Sequence, residues 1–584
     1  MRPSRRIPFV VGGVVGGVVL VSGGWFAYDA QQARASLQQV ASNAQVLQRE
    51  LLAGNTAEAK SALTAMQASA ADAQSHTDGP LWALASSVPG AGANVDAVQT
   101  VAGVARNLSD EALPPVVEAS GALDLGTFSP RNGRIDLGVL EGLRPVVDQA
   151  SEGFIAAEAD LRAVDTDALT QSLQAPVLDL TDKVGEAARL TATTDTALQL
   201  LPGMLGKDGP RDYLTLFQNN AEIRSTGGLP GALAIVRTDE GTISLRRQAT
   251  AGEVSQFDEP VVDLTKQELA LYEDKLATFF GDVNFTPDFP RTAQIAGAMW
   301  QQEFGQPVDG VLSIDPVALS YLLEATGPIT LRDGSSLTSS NAVDLLLNQA
   351  YVEIPDPVEQ NEYFADAAAR VFAAVAGGDG DPRVLIEGLA RGVREGRIYA
   401  WSADEQEQAT LSDTPLAGEL LPAQGQTPHV GFYLNDATGA KMQYYLDYDV
   451  ALEATDCATD GTQTFDATFT MTSNAPGDAA DLPESIIGPG FGAPPGTMLM
   501  NLRVYAPAGG TFGTMTLGKQ KLLFETLAHE NHVVARLAIL LTPGETQRLK
   551  MELTSGPDQA GSPVVDITPG VRPGPAPQVS GSAC

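Results

Sequence analysis

Apolar positions recur in steps of three and four through the first part of this chain. Leu37, Val40, Ala44, Leu47 and Leu51 form one series, and Leu63, Met66, Ala70 and Ala73 another. Such spacing puts the apolar residues on one narrow stripe of a helix. Pro80, Pro89 and Gly90 interrupt the pattern, which resumes near Asn94. Pro114-Pro115 and Ser129-Pro130-Arg131-Asn132-Gly133 break it again, and helices are predicted at 136–164 and 166–200. Ala and Gln dominate and aromatics are few. Residues 29–200 therefore read as a helical stalk or bundle, a spacer packing on itself more than a coiled-coil sensor.

The pattern changes in residues 201–424. Tyr213–Phe217 is a short apolar run bounded by turn signals, as in a buried strand. Gly231–Val236 and Thr242–Arg246 are predicted as strands joined through Asp239-Glu240-Gly241. A helix follows at Thr292–Phe304, then a strand at Gly310–Ile314. Asp315 as N-cap and Pro316 in the first turn start a helix that stops at Gly327-Pro328. Ile329–Arg332 is a strand; Ala342–Ala350, Tyr363–Ala376 and Pro382–Glu395 are helices. The alternation predicts an α/β sheet covered by helices.

Residues 425–555 change period once more. Tyr444–Ala454, Phe465–Thr472, Leu499–Tyr505, Lys521–Leu527, His532–Leu541 and Thr546–Leu553 are strand-like runs separated by Gly and Pro turns. This is a β-sandwich pattern. Residues 556–584, rich in Pro, Gly and Ser, read as an extended or disordered tail.

The N-terminus adds a membrane anchor. Arg2, Arg5 and Arg6 precede an uncharged run from Ile7 to Ala27, and Trp25, Phe26 and Tyr28 lie at its far end. Residues 7–28 are long enough for a membrane helix, and the arginines leave residues 1–6 in the cytoplasm. The rival is a cleaved signal peptide. Either way the bulk of the chain lies outside the cytoplasm, in the cell envelope. The expected class is α+β and multidomain: transmembrane helix, helical stalk or bundle, α/β domain and C-terminal β-sandwich.

The net charge of −36 argues against nucleic-acid binding, although simple solubility also accounts for it. The only cysteines are Cys457 and Cys584. In an oxidising compartment such a pair forms a disulfide, here pinning the tail to the last domain; two free thiols are the alternative.

Candidate chemistry concentrates in YLTLFQNNAEIRSTGGLPG, residues 213–231. A guanidinium at Arg224 suits phosphate or carboxylate, and Glu222 beside it can hold that arginine or Mg²⁺. Asn219 and Asn220 can fix hydroxyls, and Gly227 and Gly228 let backbone N–H groups approach an anion. The competing reading is a structural Glu–Arg pair with glycines needed only for a turn. A second cluster, NFTPDFPR, offers Asn284, Asp288 and Arg291 on a proline-stiffened loop before a helix. Asp309 and Asp315 form a third, with Asp315 better read as a cap. His429, His529 and His532 read as surface histidines.

The segments FQNNAEIRSTGGLPGALAIV, PDFPRTAQIAGAMW, DGVLSIDPVALSYLLEATGPITL and LTSSNAVDLLL together resemble the domain-of-unknown-function 4012 family of bacterial membrane-anchored proteins, which has actinobacterial members. More distantly, the order of parts is similar to the LytR-CpsA-Psr family, which transfers glycopolymers from a polyprenyl-diphosphate carrier to the cell wall. That resemblance implies arginines on the diphosphate and acids on Mg²⁺. Carried over position by position, Arg224 and Arg291 would hold the diphosphate and Glu222 and Asp288 the metal. The family's Arg-Asp pair after its second strand is absent; Arg246-Arg247 lies nearby without an acid. Two functions follow. One is a Mg²⁺-dependent, phosphotransferase-like glycopolymer transferase, or a relative that binds a lipid-linked diphosphate. The other is a non-catalytic envelope scaffold that binds a protein partner or glycan. Convergence of the four charged residues on an open cleft would favour the first; a buried, closed Glu–Arg pair would favour the second.

Overall fold

The computed structural model describes residues 7–119, 130, 133–412, 414–572 and 576–584, with side chains from residue 28 onward apart from that of residue 52. The expected cytoplasmic end at 1–6, and the side chains of the expected membrane span up to residue 27, lie outside the described residues. Among the described residues, no helix is long and apolar enough to cross a membrane.

The chain divides into two compact units. The first holds the helices Ile7–Leu52, Thr56–Thr77, Pro80–Ser86, Gly92–Asn107, Leu113–Ala119, Leu137–Arg162 and Gln171–Met204. The predicted stripe is its seam. Val40, Leu47, Leu63, Met66 and Ala70 are buried together, with Leu37, Ala44 and Leu51 partly buried against them.

Among the described residues, the second unit carries all the sheets. Three meandering strands come first: β1 Arg211–Arg224, β2 Gly227–Asp239 and β3 Thr242–Thr250. Then come β4 Gly310–Ile314, the short β5 Ile329–Thr330 and β6 Ser336–Leu337, and β7 Ile398–Ser402. The sheet order is β3-β2-β1-β4-β7. Only the β1–β4 pairing in it is parallel, so the sheet is mixed. The helix Phe289–Phe304 starts with Pro290 in its first turn and buries Phe289, Ile295, Met299 and Trp300 among Leu214, Leu216, Leu233 and Ile235.

The remaining strands are β8 His429–Asp436, β9 Leu446–Cys457, β10 Gln463–Ser473, β11 Met498–Tyr505, β12 Thr511–Leu517, β13 Gln520–Lys521, β14 Glu525–His529, β15 His532–Leu541, β16 Thr546–Thr554, β17 Val564–Ile567 and β18 Gln578–Val579. They form two sheets, β13-β12-β16-β10-β9-β18 and β14-β15-β11-β8-β17, around one apolar core. The expected single strand Lys521–Leu527 is instead two strands in different sheets. Leu522 and Phe524 pack on the core at the crossing while Leu523 stands fully exposed. The tail is extended and ordered over its described residues. It supplies β17 and β18, both parallel to their neighbours, and Cys457 and Cys584 are joined by a disulfide.

Candidate functional site

The apolar stretch Tyr213–Phe217 pairs regularly with β2, and then the register shifts. Asn219 faces Leu229 and Ile223 faces Gly228, so Asn220, Ala221 and Glu222 have no partner on β2. This bulge turns polar side chains inward: Asn220, Glu222 and Arg224 are all buried. The glycines have a steric reason. A Cβ on Gly228 would lie 2.1 Å from the Asn219 carbonyl carbon, and Gly227 has φ +136°. The N–H of Gly228 donates to Gln218 Oε1 at 3.0 Å. The expected anion-binding loop is thus a tight hairpin end whose Gly228 N–H is already used.

All three nitrogens of Arg224 are engaged by its surroundings. Its Nη2 donates to Glu222 Oε1 at 3.0 Å and approaches Asp282 Oδ1 at 3.5 Å. Its Nε donates to the Gly281 carbonyl and its Nη1 to that of Ile223, and the guanidinium lies 5.0 Å from the Phe285 ring centre. The other Glu222 oxygen takes Lys441 Nζ at 3.4 Å. The Arg224 and Glu222 side chains are only 5% and 7% exposed. Burial pushes the Asp282 carboxyl up to about 6, against the pull of Arg224 and Lys275. Burial also raises Asp436 nearby, although it accepts from the amides of Thr438 and Gly439 and from Gln443.

The asparagines act as internal ties. Asn219 Nδ2 donates to the Tyr351 hydroxyl at 2.7 Å, and Asn284 Nδ2 donates to Thr226 Oγ1 and the Gly228 carbonyl. Asn220 Nδ2 reaches Asp315 Oδ2 at 2.9 Å and the Pro569 carbonyl at 3.4 Å. Asp315 caps its helix through the Ala318 amide at 2.7 Å and also pairs with Arg397 at 2.8 Å. Arg397 was not singled out from sequence. Its signal was the short aromatic and β-branched run Ile398–Ser402 that follows it, a strand at the sheet edge. Arg397 also donates to Glu395 and to the Gly570 carbonyl. Burial opposes its charge, and Asp315 and Glu395 outweigh that and hold it ionised.

Asp288 and Arg291 belong to a separate cluster. Arg291 binds Glu268 with two nitrogens, at 2.6 and 3.2 Å, and the Asp263 carbonyl at 2.6 Å. Glu268 completes a capping box with Thr265. Burial pushes Asp288 up to about 7; Glu419 and Glu530 add to the shift, and the amides of Arg291 and Leu420 resist it. The four charged candidates therefore fall into two groups, each with its own partners. Their donor sets do not fit Mg²⁺: Glu222 is engaged by two cations, and Asp288 is in the other cluster. Among the described residues, no group of three His, Cys, Asp or Glu side chains could hold a metal ion.

The histidine expectation needs correction. His529 and His532 are buried. His529 Nδ1 is 2.8 Å from the Tyr505 hydroxyl, which meets the Tyr272 hydroxyl at 2.8 Å, and burial pushes His529 down to about 4. His532 sits between the carbonyls of Ala506 and Leu421. Alternating strand positions placed both rings against packed neighbours. His429 is partly exposed beside Asp566 at 3.2 Å.

No curated protein matches the chain. A solved structure described as a "putative nutrient binding protein" from Legionella pneumophila is similar at 6% identity and a TM-score of 0.14. The match covers 22% of this chain and 43% of that one, too slight a likeness to carry an argument. Residues 208–351, which span β1, the bulge, both candidate clusters and the Asp315-capped helix, match the family model described as protein of unknown function (DUF4012).

Proposed function

We propose that this chain is a membrane-anchored, extracytoplasmic envelope protein that works as a scaffold or as a binder of a protein partner or glycan, and not as a glycopolymer transferase. One observation carries the reading. Glu222, Arg224 and Arg291 each have a close charged partner within the chain, the Glu222–Arg224 pair is shut inside, and Asp288 is buried among acids in the other cluster. A diphosphate site needs preorganised donors aimed at where the phosphate oxygens would lie. Here the donors aim at the chain's own carboxylates and carbonyls. The diphosphate reading that came with the LytR-CpsA-Psr resemblance would have to break these bonds first. The anchor rests on the three arginines before the uncharged run Ile7–Ala27. The extracytoplasmic side is supported by the Cys457–Cys584 disulfide, which persists in oxidising compartments.

The test is calorimetric titration of the full chain in detergent with a short prenyl diphosphate, with and without Mg²⁺. The expected result is no saturable binding. Mg²⁺-dependent binding that disappears in Arg224→Ala, with the fold intact by circular dichroism, would overturn the proposal and restore the transferase reading.

A further inference from the structure

Residues 576–584 are held by a short strand pairing, a few hydrogen bonds and one covalent bond. β18 pairs with β9 over two residues, Gln578 with Ala451 and Val579 with Leu452. The Ser580 amide donates to the Leu452 carbonyl at 3.0 Å, and Ser580 Oγ accepts from the Ala454 amide at 2.7 Å. Further on, Ser582 Oγ lies 2.7 Å from the Ala560 carbonyl and 3.1 Å from Gln463 Oε1, which accepts from the Ala583 amide at 2.9 Å. Most of these tail residues are exposed or half-buried, and Val579 alone packs partly on the sandwich core. A handful of hydrogen bonds at the surface contributes little against the entropy of ordering a Pro-, Gly- and Ser-rich segment. The disulfide changes that balance by closing a loop of 127 residues in sequence.

We propose that the Cys457–Cys584 disulfide is a thiol-sensitive latch that keeps residues 576–584 on the edge of β9 and releases them when it is reduced. Cys584 is exposed, so an external dithiol can reach it. The attacking thiolate forms a mixed disulfide with one cysteine and displaces the other as thiolate. The second thiol of the reagent then resolves the mixed disulfide. Both protein sulfurs end as thiols, having gained two electrons and two protons, and the reagent ends as its own disulfide. Release has two structural consequences. The outer edge of β9 loses its cover and presents unpaired backbone groups, the condition under which a sheet accepts an added strand. One wall also leaves a groove of about 700 Å³ that Gln578, Val579 and Ser580 form with Glu453, Asp466 and Lys550 on the sheet face.

Hydrogen exchange read by mass spectrometry on the full chain tests the latch, comparing oxidised protein with protein treated with dithiothreitol. The amides of Ala454, Ser580 and Ala583 are expected to exchange about tenfold faster or more after reduction, while those of β1 and β2 keep their rates. Cys584→Ser should match the reduced form with or without dithiothreitol. Unchanged exchange on reduction would mean that non-covalent contacts hold the tail, and would overturn the latch. Loss of protection throughout both sandwich sheets would overturn it too, because the bond would then hold the whole domain together.

Discussion

Arg224 and Arg291 have the same chemistry, each faces a glutamate, and they stand in different electrostatic worlds. At the end of the β1–β2 hairpin, Arg224 is enclosed with Glu222 and Asp282, and Lys441 closes the far side. At the start of the helix Phe289–Phe304, Arg291 is 21% exposed and binds one carboxylate, Glu268, which the capping box also holds. In the first region, taking the charges out of water is offset by their mutual attraction and by the carbonyls of Gly281 and Ile223 on Arg224, so no member can leave alone. In the second, water still reaches the arginine and shares the burden. A cation with a carboxylate beside it in sequence is therefore no measure of a binding site. What decides is how many of the guanidinium's donors the chain has already used.

The sharpest way to break this comparison is Arg224→Met. It leaves Glu222 and Asp282 inside without their guanidinium, and the expected loss is about 3–5 kcal/mol in urea unfolding at neutral pH. Adding Glu222→Gln to the same chain should recover a substantial part, because one stranded charge is then gone. A loss in the single variant no larger than that of an exposed ion pair would place both arginines in one class and end the distinction.

Much of the fold was legible because its signals are local. Gly310–Ile314, His532–Leu541 and the Asp315 cap with Pro316 are set by period, turn residues and side-chain capping within a few positions. The candidate site was legible only as a list of residue types. The extension of β1 through Asn219–Arg224 depends on a bulge against Gly228, and the Asn219 backbone passes so close that no side chain fits at that position. Arg397, Pro569 and Gly570 meet Asn220 and Asp315 across long stretches of sequence, and no periodicity encodes that meeting. The tail looked featureless because strands of four and two residues and a disulfide leave almost no pattern.

A second contrast lies in the carboxyls beside each arginine. Burial pushes Asp282 up to about 6 with Arg224 near it, and Asp288 up to about 7 with acids, Glu419 and Glu530, as its main charged neighbours. Both values lie above the ordinary 3.8, so each group contributes stability that is fully present below about pH 4 and is lost as pH rises through its folded value. Stability should therefore fall between pH 5 and pH 8, with Asp288 accounting for on the order of 2 kcal/mol. Asp288→Asn should flatten that slope in thermal unfolding measured across the range. If the slope survives intact, Asp288 is better solvated than its surroundings imply, and the second region is wetter throughout.

The smallest effect belongs to Arg291→Ala, about 1 kcal/mol at pH 7. Glu268 would keep its bond from the Thr265 amide at 2.7 Å, and the vacated space opens toward solvent. Its pH dependence should run opposite to that of Asp288. Burial pushes the Glu268 carboxyl up, and Arg291 with Thr265 outweighs it, so the folded value lies below the ordinary 4.5. Stability from that shift is present above about pH 4.5 and is lost as pH falls through the folded value, so the difference between wild type and variant should shrink under acid. Urea midpoints at pH 7 and pH 4 would show it. A cost as large as that of Arg224→Met at pH 7 would mean that the pair with the partly exposed arginine bears as much of the fold as the fully buried one, and burial would no longer be what separates the two arginines.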